Sequence, residues 1–393
     1  MHITGIICEY NPFHAGHAHM LEMVRNRRPD TRILCLMSTC FTQRGEAACL
    51  PVDLRVRMAL SQGADAVVAF PFVCAVRGAE DFALSGVRIL DAMGCHALAF
   101  GAEEPSLPRL ASMAGHLEHP GKEQTDMLHA FLNRGFSWAR AMEKSMESTV
   151  GGEAQLLRSP NNILALNYLR SLERLGSSME PLLIHRSTSY RNTGMDEPFP
   201  SARAIRACLE EGNYAQAFQA LPVQARPWLR LGVEQGRLVR KNALDAALFY
   251  RLRTMSPEAY GNLPESGEGT GDLLRKMQAR SGDREQLLAL CTSARYPASR
   301  FSRLCAYALV QVSREDLPVS APREVWLLGC RENAEPLISR IGRNLKEKGG
   351  TLLGSASRCD SSWMHVEERA WDLHALACGD APGAARRYRV QRP

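Results

Sequence analysis

Nothing in this chain approaches the run of roughly eighteen apolar residues that a membrane-spanning helix requires. The first residues also lack the charged-then-apolar layout of a secretory signal, so a cytoplasmic protein is expected. None of the 12 cysteines stands in a C-x-x-C pair, which argues against a zinc site and leaves no metal-ligating residues to nominate. Cys8, Cys35 and Cys74 sit inside apolar runs, where reduced, buried thiols are expected rather than disulfides. Internal repeats and long low-complexity tracts are missing too. Acid is scarce at one end only: residues 295–393 hold 16 Lys/Arg against 11 Asp/Glu, which places +5 of the net +6 there. The tail AARRYRVQRP carries Arg386, Arg387, Arg389 and Arg392 with no acid at all. Such an excess suits a polyanion partner through phosphate neutralisation, and equally a solvated surface.

What is present is ordinary globular material, 45% hydrophobic and 23% charged over 393 residues, enough for a sizeable core and two domains. The first two hundred residues alternate apolar strands with amphipathic helices, the pattern of an α/β fold with a Rossmann-like open parallel sheet. Strands are expected at 3–8, 32–37, 65–70, 96–101 and 181–185. Right-handed crossovers would put the carboxyl ends of these strands on one edge, where ligands bind near a topological switch point. From about residue 210 the texture turns helical, with a turn-rich interruption at 261–272 and one possible late strand at 323–330. The expected division is a nucleotide-binding unit over 1–212 and a mainly helical, basic unit over 213–393.

The most informative segment is GIICEYNPFHAGHAHM at 5–20. An apolar strand runs into Asn11-Pro12, which breaks it, and Gly16 lets the backbone approach a ligand as a helix begins near His17. Free N–H groups at a helix start attract anions. Two imidazoles in one turn, His14 and His17, can donate to phosphate oxygens and stabilise charge at an α-phosphate under attack. A capping or plain loop histidine is the blander account.

This segment resembles the H-x-G-H signature of the nucleotidyltransferase superfamily. The chain as a whole resembles the bacterial tRNA(Met) cytidine acetate ligase family, through MSTCFTQRGEAA at 37–48, GADAVVAFPFVCAVRGAEDFALSGVRIL at 63–90, ALAFGAEE at 97–104, SPNNILALNYLRSL at 159–172, HRSTSY at 185–190 and PSARAIRACL at 200–209. The resemblance implies an ATP-dependent ligase that forms acetyl-adenylate and passes the acetyl group to N4 of the wobble cytidine of elongator tRNA(Met), with Mg2+ accompanying ATP. It implies catalytic roles for His14 and His17. It implies nucleotide contacts from Ile7, Cys8, Glu9, Tyr10, Asn11, Pro12, Phe13, Ala15, Gly16, Ala18, His19 and Met20, and from Gly101, Asn161, Arg186 and Ser187. Ser201 can cap a late helix while meeting phosphate, and Arg206 can return to the γ-phosphate side. On spacing alone, Asn161 or Asn162 is expected to cap the adjoining helix.

RNA contact is expected from Arg44 in the TQRGE loop and from Arg295, Arg300 and Arg303, which with Tyr296 form a basic, aromatic helix face. No general base is evident from spacing. The chain departs from the family pattern at Thr39-Cys40, at Leu50-Pro51-Val52-Asp53 and after Arg186, where no His comes after Tyr190. Two other readings compete: a small-molecule adenylyltransferase acting on a nicotinamide or pantetheine phosphate, and an RNA-binding protein without catalysis. Acetate-dependent ATP–pyrophosphate exchange separates them. Oligomeric state is not legible.

Overall fold

The computed structural model describes residues 1–186, 194–195, 199–318 and 320–393. Seven strands form one sheet: β1 (His2–Cys8), β2 (Thr31–Ser38), β3 (Ala66–Phe70), β4 (Ala97–Ala102), β5 (Glu180–His185), β6 (Glu324–Cys330) and β7 (Thr351–Leu353). Their spatial order is β5-β4-β1-β2-β3-β6-β7. The five expected strands of the first two hundred residues are all present and mutually parallel, because each is apolar on both faces and is covered by crossover helices. Those helices include α1 (Ala15–Arg27), between β1 and β2, and α2 (Val52–Ser61), between β2 and β3.

The chain runs β1, β2, β3 outward in one direction and then returns to place β4 on the other side of β1. That reversal opens a crevice above the carboxyl ends of β1 and β4, the switch point of the sheet. Arg55 of α2 fixes the floor beside it. Wholly buried, its guanidinium donates to the carbonyls of Glu9 (2.8 Å), Ser38 (2.9 Å), Leu50 (3.0 Å) and Thr39. One buried cation thereby satisfies four carbonyls, three at the ends of β1 and β2 and one, Leu50, just ahead of α2.

The texture after residue 210 is helical as expected, yet the sheet does not end at 212. The late strand β6 adds antiparallel to β3, with Ala66 opposite Cys330 and Val67 opposite Gly329, and β7 pairs parallel to β6. The basic tail is not loose either: Gln391 exchanges main-chain hydrogen bonds with the β6 edge, Arg386 pairs with Glu368 and Arg392 with Glu335. No helix among the described residues is long and apolar enough to cross a membrane.

Candidate functional site

The turn between β1 and α1 builds itself around two histidines. His14 is the N-cap residue of α1, and its ring nitrogen Nδ1 accepts from the Gly16 N–H at 3.0 Å. His17, three residues on, returns the arrangement: its Nδ1 accepts from the His14 N–H at 3.3 Å. This is a capping box in which both partners are imidazoles, where a Ser and a Glu are usual. Using Nδ1 as acceptor leaves the proton of each neutral ring on Nε2, so both rings present a donor beyond the turn.

The rings lie 3.8 Å apart, with Tyr10 and Phe13 packed against His17. Burial, then the charges of Arg186 and Arg206, lowers His14 to about 3. Burial, then His14 and Arg186, holds His17 well below its ordinary value. The two rings are therefore neutral donors at physiological pH. They can stabilise an anion without carrying a charge of their own.

A cavity of about 60 Å³ opens on this turn, lined by His14, Gly16, His17, His19, Met20, Ile184, His185, Arg186 and Phe199. Gly101, at the end of β4, lies behind two of these lining residues: a Cβ there would lie 2.7 Å from Cδ of Arg186 and 3.6 Å from Cε of Met20. Arg186 thus lines the same cavity as the two histidines, and Gly101 packs against Arg186. Ser201 caps the helix Ala202–Glu210 by accepting from the Ala204 N–H at 3.1 Å. From that helix Arg206 donates to the Asn11 carbonyl at 2.7 Å and lies 3.6 Å from Glu46.

Several expected positions serve the framework instead of lining the cavity. Ile7 fills the space over Gly86, Cys8 donates to the Leu36 carbonyl, and Phe13 is fully buried. The Asn11 side chain accepts from the Cys49 N–H at 2.7 Å and so ties the turn to the loop after β2. Asn161 and Asn162 do not cap their helix, whose N-cap is Ser159. Asn162 Oδ1 accepts from the N–H groups of Glu103 and Glu104, both at 3.0 Å, and Asn161 donates to Glu103 Oε1 at 2.7 Å. Pro160 at the first helical turn explains the correction: it supplies the helix start, which frees both amides to brace the end of β4.

The expected RNA contacts divide. Arg303 is only 8% exposed and donates to both Glu265 carboxylate oxygens, Oε1 at 2.9 Å and Oε2 at 2.5 Å, so it is spent inside the fold. Arg300 donates to the carbonyls of Glu265 and Gly267, while Arg295 stays largely at the surface, 3.7 Å from Glu268. These acids lie some thirty residues away in sequence, in a turn-rich segment that gave no sign of pairing. Arg44 sits in the loop after β2, and its main-chain carbonyl accepts from the Ser302 hydroxyl at 2.5 Å. Ser187 lies outside the described residues.

Sequence reasoning missed Ile184, His185 and Phe199 as lining residues. The first two end β5 at the carboxyl edge, a position that could have flagged them; Phe199, stacked on His19 at 5.2 Å, gave no signal. It also missed Arg55, which reads in sequence as one more helical arginine.

With the geometry in place, comparison with known proteins is specific. Residues 1–382 match the family described as HIGH nucleotidyl transferase. The tRNA(Met) cytidine acetate ligase of Syntrophomonas wolfei is 31% identical over 351 residues, covering 87% of this chain and 84% of the relative. That of Acetivibrio thermocellus is 30% identical over 392 residues, covering 96% and 94%. In fold, the chain superposes over its full length on the apo crystal structure of Thermotoga maritima TmcAL with a TM-score of 0.93 at 23% identity. The form of that protein bound with alpha-thio ATP gives 0.87 at 22% identity.

Proposed function

We propose that the chain, which belongs to the HIGH nucleotidyl transferase family and within it to the tRNA(Met) cytidine acetate ligases, is an ATP-dependent ligase that acetylates N4 of the wobble cytidine of elongator tRNA(Met) through acetyl-adenylate. The observation that carries the reading is the pair of neutral, outward-donating imidazoles at the start of α1, lining one cavity with Arg186.

The residues present fit ATP. Gly101 and Gly16 are positions where a Cβ would intrude, 2.7 Å from Arg186 and 3.0 Å from His14, so both keep backbone available for close approach. Asn161 holds Glu103 Oε1, and Glu103 Oε2 is buried with no partner among the described residues, an acceptor suited to a ribose hydroxyl or an adenine amine. The two Nε2–H donors would bind the α- and β-phosphates at the positive end of the α1 dipole, whose own first N–H groups are taken up by the Ala220 carbonyl and by His14. Arg186 and Arg206 supply the compensating charge. Magnesium would enter on the phosphates, since no group of three or more His, Cys, Asp or Glu side chains among the described residues could hold it.

These residues act chiefly by position and by charge. When the acetate carboxylate displaces pyrophosphate at the α-phosphorus, negative charge shifts toward the bridging oxygen, and preorganised donors gain strength there without reorienting. The RNA would be gripped by Arg44, Arg295 and the helical part of 213–393, with the cytidine unstacked into the crevice. The test is nucleoside mass spectrometry of elongator tRNA(Met) incubated with the protein, ATP, magnesium and acetate. Acetylated cytidine that requires every component supports the reading, whereas ATP cleavage without it assigns the acceptor or acyl donor elsewhere.

A further inference from the structure

We propose that Glu9 is the general base of acetyl transfer, the group that takes the proton leaving the exocyclic amine of the acceptor cytidine; this rests on the function proposed above. Glu9 is the first residue beyond β1 and stands at the switch-point crevice, five positions before His14. Its main chain is immobilised, because Arg55 donates to its carbonyl at 2.8 Å. Its side chain is aimed, because Oε1 accepts from the Gln43 N–H at 2.6 Å. The bond engages Oε1 alone, and Glu9 as a whole is half-buried, so Oε2 is the oxygen left to accept a proton.

Groups from four surrounding elements face the carboxylate: Arg44 and Glu46 on the loop after β2, Arg55 on α2, Tyr168 on the helix Pro160–Arg174 and Arg206 on the helix Ala202–Glu210. Desolvation raises the Glu9 carboxyl above its ordinary value, opposed by the Gln43 N–H and by Arg44 and Arg206. The result is a stronger base than a surface carboxylate.

Placement agrees with the demands of the reaction. The charge of Arg206 acts on both Glu9 and His14, and the main chain of Gln43, in the loop that carries Arg44, holds the Glu9 carboxylate, so Glu9 stands between the phosphate-binding turn and that loop in the chain's connections. An attacking amine adds over the face of the planar acetyl carbonyl, and the adenylate oxygen departs from the tetrahedral intermediate so formed. In the transfer step the cytidine N4 forms a bond to the acetyl carbon. The bond from that carbon to the phosphate oxygen breaks, and AMP leaves with the electron pair. The proton shed by N4 passes to Glu9 Oε2 and then to solvent. Arg206 and the two imidazoles meet the charge that AMP carries away.

Glu9→Gln tests this, since glutamine keeps the acceptor for the Gln43 N–H and removes only the base. Acetate-dependent ATP–pyrophosphate exchange is measured alongside, because Glu9 is also an expected nucleotide contact; exchange should persist and fall by far less than transfer, which also reports that the site is folded. Single-turnover acetylation of tRNA should fall by about 10²-fold or more, as loss of a general base does, and the rising acid limb of its pH profile should vanish. Glu9→Asp should keep measurable transfer with that limb intact. Transfer by Glu9→Gln at the unaltered rate overturns the proposal. So does loss of exchange in step with transfer, which would make Glu9 a positioning residue for adenylation. If the unaltered protein exchanges pyrophosphate yet never acetylates cytidine, the functional reading fails and this inference with it.

Discussion

His14 and His17 each perform two tasks with one ring: Nδ1 closes the helix cap and Nε2–H faces the crevice. Their removal should therefore separate stability from chemistry only in part. His17→Ala is expected to lower acetate-dependent pyrophosphate exchange by about 10²-fold, the scale of losing one preorganised oxyanion donor. His14→Ala should cost similar activity and about 1 kcal/mol of stability for the lost cap, visible as a lower midpoint in urea unfolding. The depressed histidines also set a pH dependence. Burial lowers His14 to about 3 and His374, whose Nε2 donates to the Ala48 carbonyl, to about 4. Below about pH 6.5 the unfolded chain binds protons at both positions while the folded chain does not. Stability is thus fully present above that pH and is lost progressively as pH falls toward 4 and then 3. For His374 alone the loss is on the order of 3 kcal/mol. Urea midpoints measured between pH 7 and pH 4 should fall, and His374→Gln should flatten the upper part of the slope; a slope unchanged by that substitution rejects the assignment.

Between elements, two glycines make contrasting predictions. At Gly101 an added Cβ meets the mid-section of the Arg186 side chain at 2.7 Å, and a flexible side chain can move aside. Gly101→Ala should weaken ATP binding several-fold, measured by calorimetric titration, with little change in melting temperature. At Gly45, which has φ of +73°, the Cβ would lie 2.7 Å from both Cα of Arg303 and the Ser302 carbonyl, and backbone cannot yield in that way. Gly45→Ala should part the loop after β2 from the helix Ala298–Val310, with a destabilisation of about 1–3 kcal/mol and a matching loss of tRNA acetylation. Legibility in the sequence divides along the same line of local against distant information. The parallel strands and β6 agree with their expected spans to within about one residue because apolar runs bounded by Gly, Pro and Asn are local signals. The histidine turn was legible for the same reason. β7, three residues long, is too short to show a period. The pairing of Arg303 with Glu265, the bracing of β4 by Asn162 and the fourfold use of Arg55 depend on contacts that no spacing encodes.

For the molecule as a whole, the question is whether residues 1–212 can stand without residues 213–393. The change of texture near 210 suggests that they can, but the contacts say otherwise. β3 is apolar throughout and fully buried, and its outer edge is occupied by β6, so removing 213–393 would expose an unprotected apolar edge strand. The loop carrying Arg44 would lose Ser302, and Phe72 N–H would lose the buried Glu367 carboxylate that accepts from it at 2.6 Å. Arg237, which bridges Asp53 of α2 and Asp380 near the chain end, would leave with the removed part and abandon Asp53. A fragment ending at residue 212 is therefore expected to aggregate or to melt without a cooperative transition, and to show no acetate-dependent exchange, while the full chain melts as one unit. Size-exclusion chromatography and calorimetry decide it. A monodisperse fragment with a sharp transition and retained exchange would show that the α/β half is autonomous, and that the second half serves only to hold the RNA. Failure of the fragment would mean that the two halves share one core, so that contacts made by the helical part reach the loop beside Glu9 through the fold itself.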